Sequence, residues 1–322
     1  MTTEAILFPG QGSQRPGMGR DLFAQFPDLV ATANAICGYD LPALCQEDPQ
    51  HALRHTRYAQ PAVYTVNALA YRRWLREHGS PPDIALGHSL GEYNALEAAG
   101  VFDFDEGLRL VLQRAQLTAS ISGAMTAVLG LPVSAIHHAL TDANLTAVEL
   151  VNLNTPTQTV LAGSTANIVA AEQVLLAAGA FDVRRLDVSG PFHSSLMHPA
   201  AVAYTQALAA VKMRQPRLPV VANRTARPHL QATIATALAE HIDHPVRWQD
   251  SIKWTLENYL DVRFNEIGDQ PGVLLRMLRQ LLPPPNASTS SYSTTIATAT
   301  DGRGGVLAVN IDSGAAAKRS HK

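Results

Sequence analysis

Ile84-Ala-Leu-Gly-His-Ser-Leu-Gly91, running on into Glu92 to Ala99, is the stretch that decides the fold. Its apolar triplet reads as a buried strand and the residues from Glu92 as a helix. Gly87-His88-Ser89-Leu90-Gly91 is then a G-x-S-x-G turn in the strand-to-helix setting that its chemistry needs. A turn this tight requires glycine on both flanks. It holds Ser89 out at the end of a sheet, over a helix N-terminus whose free N–H groups favour developing negative charge. A chance pentapeptide in a loop is the plainer alternative, and the flanking strand and helix argue against it.

Upstream, Ala5 to Phe8 is a short apolar run ending in Pro9-Gly10-Gln11-Gly12-Ser13-Gln14, which reads as a strand and then a tight loop. The segment Pro61 to Leu75 predicts a helix opened by its proline, with Val63, Val66, Ala70 and Trp74 at helical spacing and a stop at Gly79-Ser-Pro-Pro82. This alternation of helix and strand places the chain in the α/β class, with a mostly parallel sheet.

From Ala124 to Ser189 the rhythm changes. The pattern predicts strand (Met125 to Leu129), helix (Val133 to Leu140), strand (Thr146 to Val151), strand (Thr159 to Ala162), helix (Ala166 to Ala178) and strand (Asp182 to Val188). That βαββαβ order is the ferredoxin-like pattern. Residues 124–189 are therefore expected as a small domain inserted into a larger one made of 1–123 and 190–282. Apolar stretches at Ile252 to Leu260 and Val273 to Leu282 complete the larger domain, and Pro283-Pro-Pro285 closes it. Residues 283–322 begin Ser/Thr/Ala/Gly-rich and are expected to form a flexible tail, with an edge strand at Val306 to Ile311 as the weaker alternative.

The 322 residues fit about two domains at roughly 150 residues each. Twenty-five Lys and Arg against 27 Asp and Glu leave a formal charge of -2, so no basic field marks a nucleic-acid partner. No apolar run approaches a membrane span and the first residues lack a signal-peptide pattern, so the expectation is a cytoplasmic protein with no membrane attachment; a monomer is the default expectation, which no motif decides. The only two cysteines, Cys37 and Cys45, have no ligand or disulfide spacing, and neither a metal nor a bound cofactor is expected.

A serine nucleophile needs a base, and 12 histidines compete for the part. His193 stands out, in Val188-Ser-Gly-Pro-Phe-His-Ser-Ser195, a small-residue turn directly after a predicted strand at the return from the inserted domain. His88 adjoins Ser89, but neighbours on a tight turn point apart. His137, His138 and His229 read as solvated surface. On a helical wheel from Glu106 to Leu117, Glu106, Arg109, Gln113 and Gln116 share a polar face, and Arg114 falls on the opposite arc beside Leu110 and Val111. A guanidinium there either pairs with an internal acid such as Glu92 or Glu97, or waits as a fork for a substrate carboxylate.

Phe8-Pro-Gly-Gln-Gly-Ser-Gln14, Gln60-Pro61, Gly87-His-Ser-Leu-Gly-Glu92, the Arg114 helix, Asn154-Thr-Pro156 with Gln158-Thr-Val-Leu-Ala-Gly163, Phe192-His-Ser194 and Pro245-Val-Arg-Trp248 occur in order along the chain. Together they resemble the malonyl-CoA:acyl carrier protein transacylases, most of all the free-standing acyltransferases of polyketide synthesis. The resemblance implies an α/β-hydrolase-like large domain with a ferredoxin-like small domain. It implies malonyl-CoA as substrate and the phosphopantetheine thiol of an acyl carrier protein as acceptor, in fatty acid or polyketide synthesis. It also implies that Ser89 is acylated, His193 is the base, Arg114 holds the malonyl carboxylate, and the backbone N–H groups of Gln11 and Leu90 form the oxyanion hole. The carbonyl of His241, where the family commonly has Gln, would orient His193, and Pro191, Phe192 and Asn154 would line the acyl pocket.

Three departures stand out. Pro191 replaces the Ala usual in malonyl-selective members, the family's Arg-Gly is Arg114-Ala115, and its Gly-Pro-Gly has become Gly268-Asp-Gln-Pro-Gly272. Three other readings compete with malonyl transfer: a transferase for another acyl group, an editing hydrolase that releases acyl groups from carrier proteins, and a catalytically idle docking module. Of the last two, Arg114 speaks against the first and the intact Ser89, His193 and Arg114 against the second. Arg184-Arg185 and Arg276 with Arg279 are candidates for contact with an acidic partner.

Overall fold

The computed structural model describes residues 2–269, 271–282, 292–293 and 305–311. Strand β1 (Thr3–Phe8) lies between β2 (Ile84–Gly87) and β8 (Asp261–Glu266) and runs parallel to both, with Ala5 opposite Ile84 and Phe8 opposite Gly87. A two-residue strand, β7 (Val220–Val221), extends the parallel set beyond β2. Side chains alternate across β1: Ile6 and Phe8 enter one apolar cluster, Ala5 and Leu7 the other. Both faces of the strand are therefore buried, as a parallel sheet covered by helices on each side requires.

One covering layer contains α1 (Arg20–Phe23), α2 (Pro27–Cys37), α3 (Leu41–Glu47), α4 (Thr56–His78), α5 (Gly91–Ala98) and α6 (Phe104–Ala119). A capping box between Asp103 and Glu106 starts α6. The expected start of α4 at Pro61 is corrected: the helix begins at Thr56 and holds Pro61 in its interior. Its first turn closes upstream of the proline, on the His55 carbonyl, and Pro61 costs one backbone donor within a buried stretch.

The second sheet has the order β4 (Glu149–Thr155), β5 (Gln158–Gly163), β3 (Ala124–Leu129), β6 (Asp182–Arg185), all neighbours antiparallel. Helices α7 (Val133–Asp142) and α8 (Thr165–Ala177) pack Ile136, Leu140, Ile168 and Leu175 onto one face. Met125, Ala127, Val151 and Val160 turn the other way, into the core shared with the first sheet. Each expected element of this region is present, with ends displaced by up to four residues.

The chain returns through α9 (His198–Ala209), α10 (Ile234–Glu240), α11 (Trp248–Asn258) and α12 (Val273–Leu281). The tail expectation is corrected for residues 305–311. They form β10 (Gly305–Ile311), antiparallel to β8, and a short β9 (Tyr292–Ser293) pairs with its end. Leu307 and Val309 are fully buried in the cluster beneath α11 and α12, so the proline triplet does not close the fold. The rest of 283–322 lies outside the described residues. Among the described residues no helix is long and apolar enough to cross a membrane.

Candidate active site

Strands β1 and β2 end side by side, and the loops that follow them meet. A Cβ on Gly87 would fall onto the Gly91 backbone, one on Gly91 onto the Phe8 carbonyl, and one on Gly10 onto the His88 carbonyl. The expected demand for glycine on both flanks of Ser89 is thus a steric fact. Ser89 itself has φ 52°, a left-handed backbone held by the strand before it and the helix after it. Its N–H donates to Asn223 Oδ1 (2.8 Å), and Asn223 Nδ2 donates to the Gly87 carbonyl (2.6 Å). The backbone N–H groups of Gln11 and Leu90 meet no acceptor among the described residues, and the loop that carries Gln11 lies against the elbow.

Ser89 Oγ donates to His193 Nε2 at 2.7 Å, and His193 Nδ1 lies 2.7 Å from the His241 carbonyl oxygen. A carbonyl only accepts, so the Nδ1 proton is fixed there and the Nε2 lone pair faces the serine. The turn Pro191 to Ser194 closes with Ser194 N–H donating to the Pro191 carbonyl (3.3 Å) and puts His193 at φ 65°. His193 is buried. Loss of hydration, and then the charge of Arg114, push the imidazole down to about 3, against the opposing effect of its bond to His241. It stays neutral and able to accept a proton at any ordinary pH.

Arg114 is 2% exposed, and of its two expected readings the internal salt bridge is absent. Glu92 faces His229 and His241, and Glu97 takes Arg72 at 2.6 Å. No carboxylate pairs with Arg114 among the described residues, its Nε has no hydrogen-bond partner there, and its guanidinium carbon lies 5.9 Å from the centre of the Tyr93 ring. A buried, unpaired cation beside a Ser–His pair is costly unless an anion comes to it.

Asn154, on β4, is buried with its Oδ1 accepting from His88 Nε2 at 2.9 Å, so the His88 ring points away from Ser89 and into the second sheet. Phe192 is buried, and the Pro191 ring packs so closely on Gly123 that a Cβ there would lie 2.7 Å from it. Arg184 and Arg185 are tied to Asp182 and Glu172. The expectation that His229 is solvated surface is corrected: it is 7% exposed, and its Nε2 donates to Glu92 Oε1 at 2.6 Å. Asn223 was not foreseen. It lies 134 residues from Ser89 in sequence, and no local pattern marks it.

Residues 6–272 match the family model described as the acyl transferase domain. The polyketide biosynthesis protein ThaF of Burkholderia thailandensis is 44% identical over 284 residues, 88% of this chain, although the chain spans only 24% of that protein's length. The polyketide biosynthesis malonyl CoA-acyl carrier protein transacylase BaeC of Bacillus velezensis is 42% identical over 273 residues, 84% of this chain and 93% of its own. A crystal structure of malonyl CoA-acyl carrier protein transacylase from Burkholderia pseudomallei superimposes with TM-score 0.83 at 39% identity, covering 88% of this chain and all of that one. With its serine elbow, the histidine bonded to that serine and a buried, unpaired arginine whose charge reaches the histidine, the chain belongs to the acyl transferase domain family and is an acyltransferase.

Proposed function

We propose that the protein moves a malonyl group from coenzyme A to the phosphopantetheine thiol of an acyl carrier protein, through an ester on Ser89. Ser89 Oγ attacks the thioester carbonyl as His193 Nε2 takes its proton. The oxyanion is held by the N–H groups of Gln11 and Leu90, and collapse expels the coenzyme A thiolate, which recovers the proton from His193. The carrier thiol then attacks the ester by the same steps in reverse. The His241 carbonyl keeps His193 in the required tautomer, Arg114 grips the malonyl carboxylate, and Pro191, Phe192 and Asn154 border the acyl group. Neither coenzyme A nor the carrier's phosphopantetheine is a resident cofactor in this scheme; both are substrates. Polyketide synthesis is the favoured setting, from the names of ThaF and BaeC.

The observation that carries this reading is the buried Arg114 without a carboxylate among the described residues, its charge acting on the His193 that bonds Ser89 at 2.7 Å. An anionic acyl group supplies what that cation lacks; acetyl or a longer monoacyl group does not. We further read the parallel-stranded part, residues 1–123 and 190–282, as an α/β-hydrolase-like domain to which β10 adds a strand. Residues 124–189, with antiparallel order β4-β5-β3-β6, form a ferredoxin-like domain; these two descriptions rest on the strand orders and on the elbow at the end of β2.

Intact-mass analysis after mixing with malonyl-CoA and acetyl-CoA tests the reading. Wild type is expected to gain a malonyl adduct and Ser89→Ala none. In Arg114→Ala malonyl loading should fall by roughly two orders of magnitude or more, about 1.4 kcal/mol for each tenfold, with acetyl loading equal or higher. Equal losses of both acyl groups would make Arg114 a structural residue. A wild type that prefers monoacyl groups and releases them to water would make the protein an editing hydrolase.

A further inference from the structure

The carboxylate of Glu92 sits in a buried cluster that none of the steps above uses. Glu92 occupies the first turn of α5, its own N–H donating to the Ser89 carbonyl, and it is fully buried. One oxygen accepts from His229 Nε2 at 2.6 Å. The other accepts from the backbone N–H of Asn223 at 3.2 Å and lies 3.1 Å from His241 Nδ1. Asn223 is the residue whose side chain ties down the Ser89 N–H and the Gly87 carbonyl. His241 is the residue whose carbonyl orients His193, and its ring stacks on the His193 ring with centroids 4.8 Å apart and planes 25° from parallel.

Neither ring nitrogen of His241 has a hydrogen bond among the described residues, although Nδ1 comes within 3.1 Å of a Glu92 oxygen. A buried imidazole left so is costly. It stands between a buried carboxylate and the ring that must become positively charged when it accepts the serine proton. In a Ser–His–Asp triad the carboxylate touches Nδ1 of the histidine directly. Here a carbonyl occupies that place, and the negative charge is one imidazole further out.

We propose that Glu92 is the positioning residue for both halves of the Ser89–His193 pair, fixing the elbow through Asn223 and offsetting the charge that develops on His193 through the intervening His241 ring. The proposal rests on the reading that Ser89 is acylated with His193 as its base. The ionisable groups facing Glu92 are His229 and His241. Those facing His193 are Arg114 from α6, His88 from the elbow and His241 from the end of α10, and the Arg114 charge adds to the cost of charging His193.

Single-turnover acylation by malonyl-CoA, followed by rapid quench and intact mass, tests this with Glu92→Gln, His241→Leu and the double variant. Glu92→Gln keeps the shape and removes the charge; His241→Leu keeps the carbonyl and removes the ring. Each is expected to lower the saturating acylation rate at least about tenfold with an unchanged half-saturating concentration of malonyl-CoA, and the double variant to lose little more than the worse single one, because the two act in one line. An unchanged saturating rate in Glu92→Gln overturns the proposal, as does simple additivity of the two effects. If Glu92→Gln does not fold, a wild-type saturating rate in His241→Leu overturns it alone. Failure of the underlying reading looks different: wild type would take no acyl group, or Ser89→Ala would still take one.

Discussion

Ser89 keeps its left-handed backbone because Gly10, Gly87 and Gly91 let the loops around it approach closely. Gly87 and Gly91 are required by close approach, whereas Gly12, at φ 106°, has nothing within 4 Å of where a Cβ would stand. Gly12→Ala should therefore cost only the strain of a positive φ, about 1 to 3 kcal/mol. Gly91→Ala must push Phe8 away from the elbow and should lower the thermal midpoint much further, with acylation of Ser89 lost. Equal midpoints for the two variants would mean that the elbow relaxes freely. Such steric needs were legible in the sequence, since a glycine forced by a tight turn is visible in the turn itself. Asn223 and His229 were not, for they reach the elbow across 134 and 137 residues and only the folded chain brings them there.

Among the elements, α6 was legible down to its single off-face residue, because an amphipathic helix shows its wrong-side charge by period alone. What the period left open was whether an acid waits opposite Arg114, and that depends on where α5 places Glu92 and Glu97. The strand β10 was misjudged for a physical reason. The Ser/Thr-rich residues before it set the average, while Leu307 and Val309 alternate as an inward face should. Leu307→Ala is expected to cost about 2 to 5 kcal/mol in denaturant unfolding, the usual range for emptying a packed site. A midpoint equal to that of wild type would show that the strand contributes nothing to the sheet.

Across the whole molecule, the second sheet is tied to the first part by Glu149 accepting from Ser195 and by β4 bonded to the backbone of Val246. His193 and His241 are held neutral by burial, and this gives stability a pH dependence. His193 titrates near 3 when folded and near 6.5 when not, so below 6.5 the unfolded chain takes up protons that the native chain refuses. Its contribution is complete above 6.5 and is lost as pH falls toward 3, about 2 kcal/mol of it by pH 5. Burial depresses His241 in the same direction, while buried Glu97 and Glu266 are pushed up and act in the opposite sense. A comparison with His193→Gln isolates the histidine: between pH 7 and 5, wild type should lose about 2 kcal/mol more than the variant in urea unfolding. Parallel losses in the two proteins would mean that His193 is not held neutral.

The pairing of Phe8 with Gly87 across β1 and β2 sets a dimension as well as a topology. The loops bearing Gln11 and Leu90 leave the sheet from directly opposed residues, so the span between their two free amides begins from the gap between neighbouring strands, about 4.8 Å. That gap is ruled by main-chain bonds and is indifferent to which side chains the strands carry. If Gln11 and Leu90 hold the oxyanion as proposed, substitutions at Pro191, Phe192 or Asn154 can change which acyl group is accepted while the spacing of the two amides stays the same.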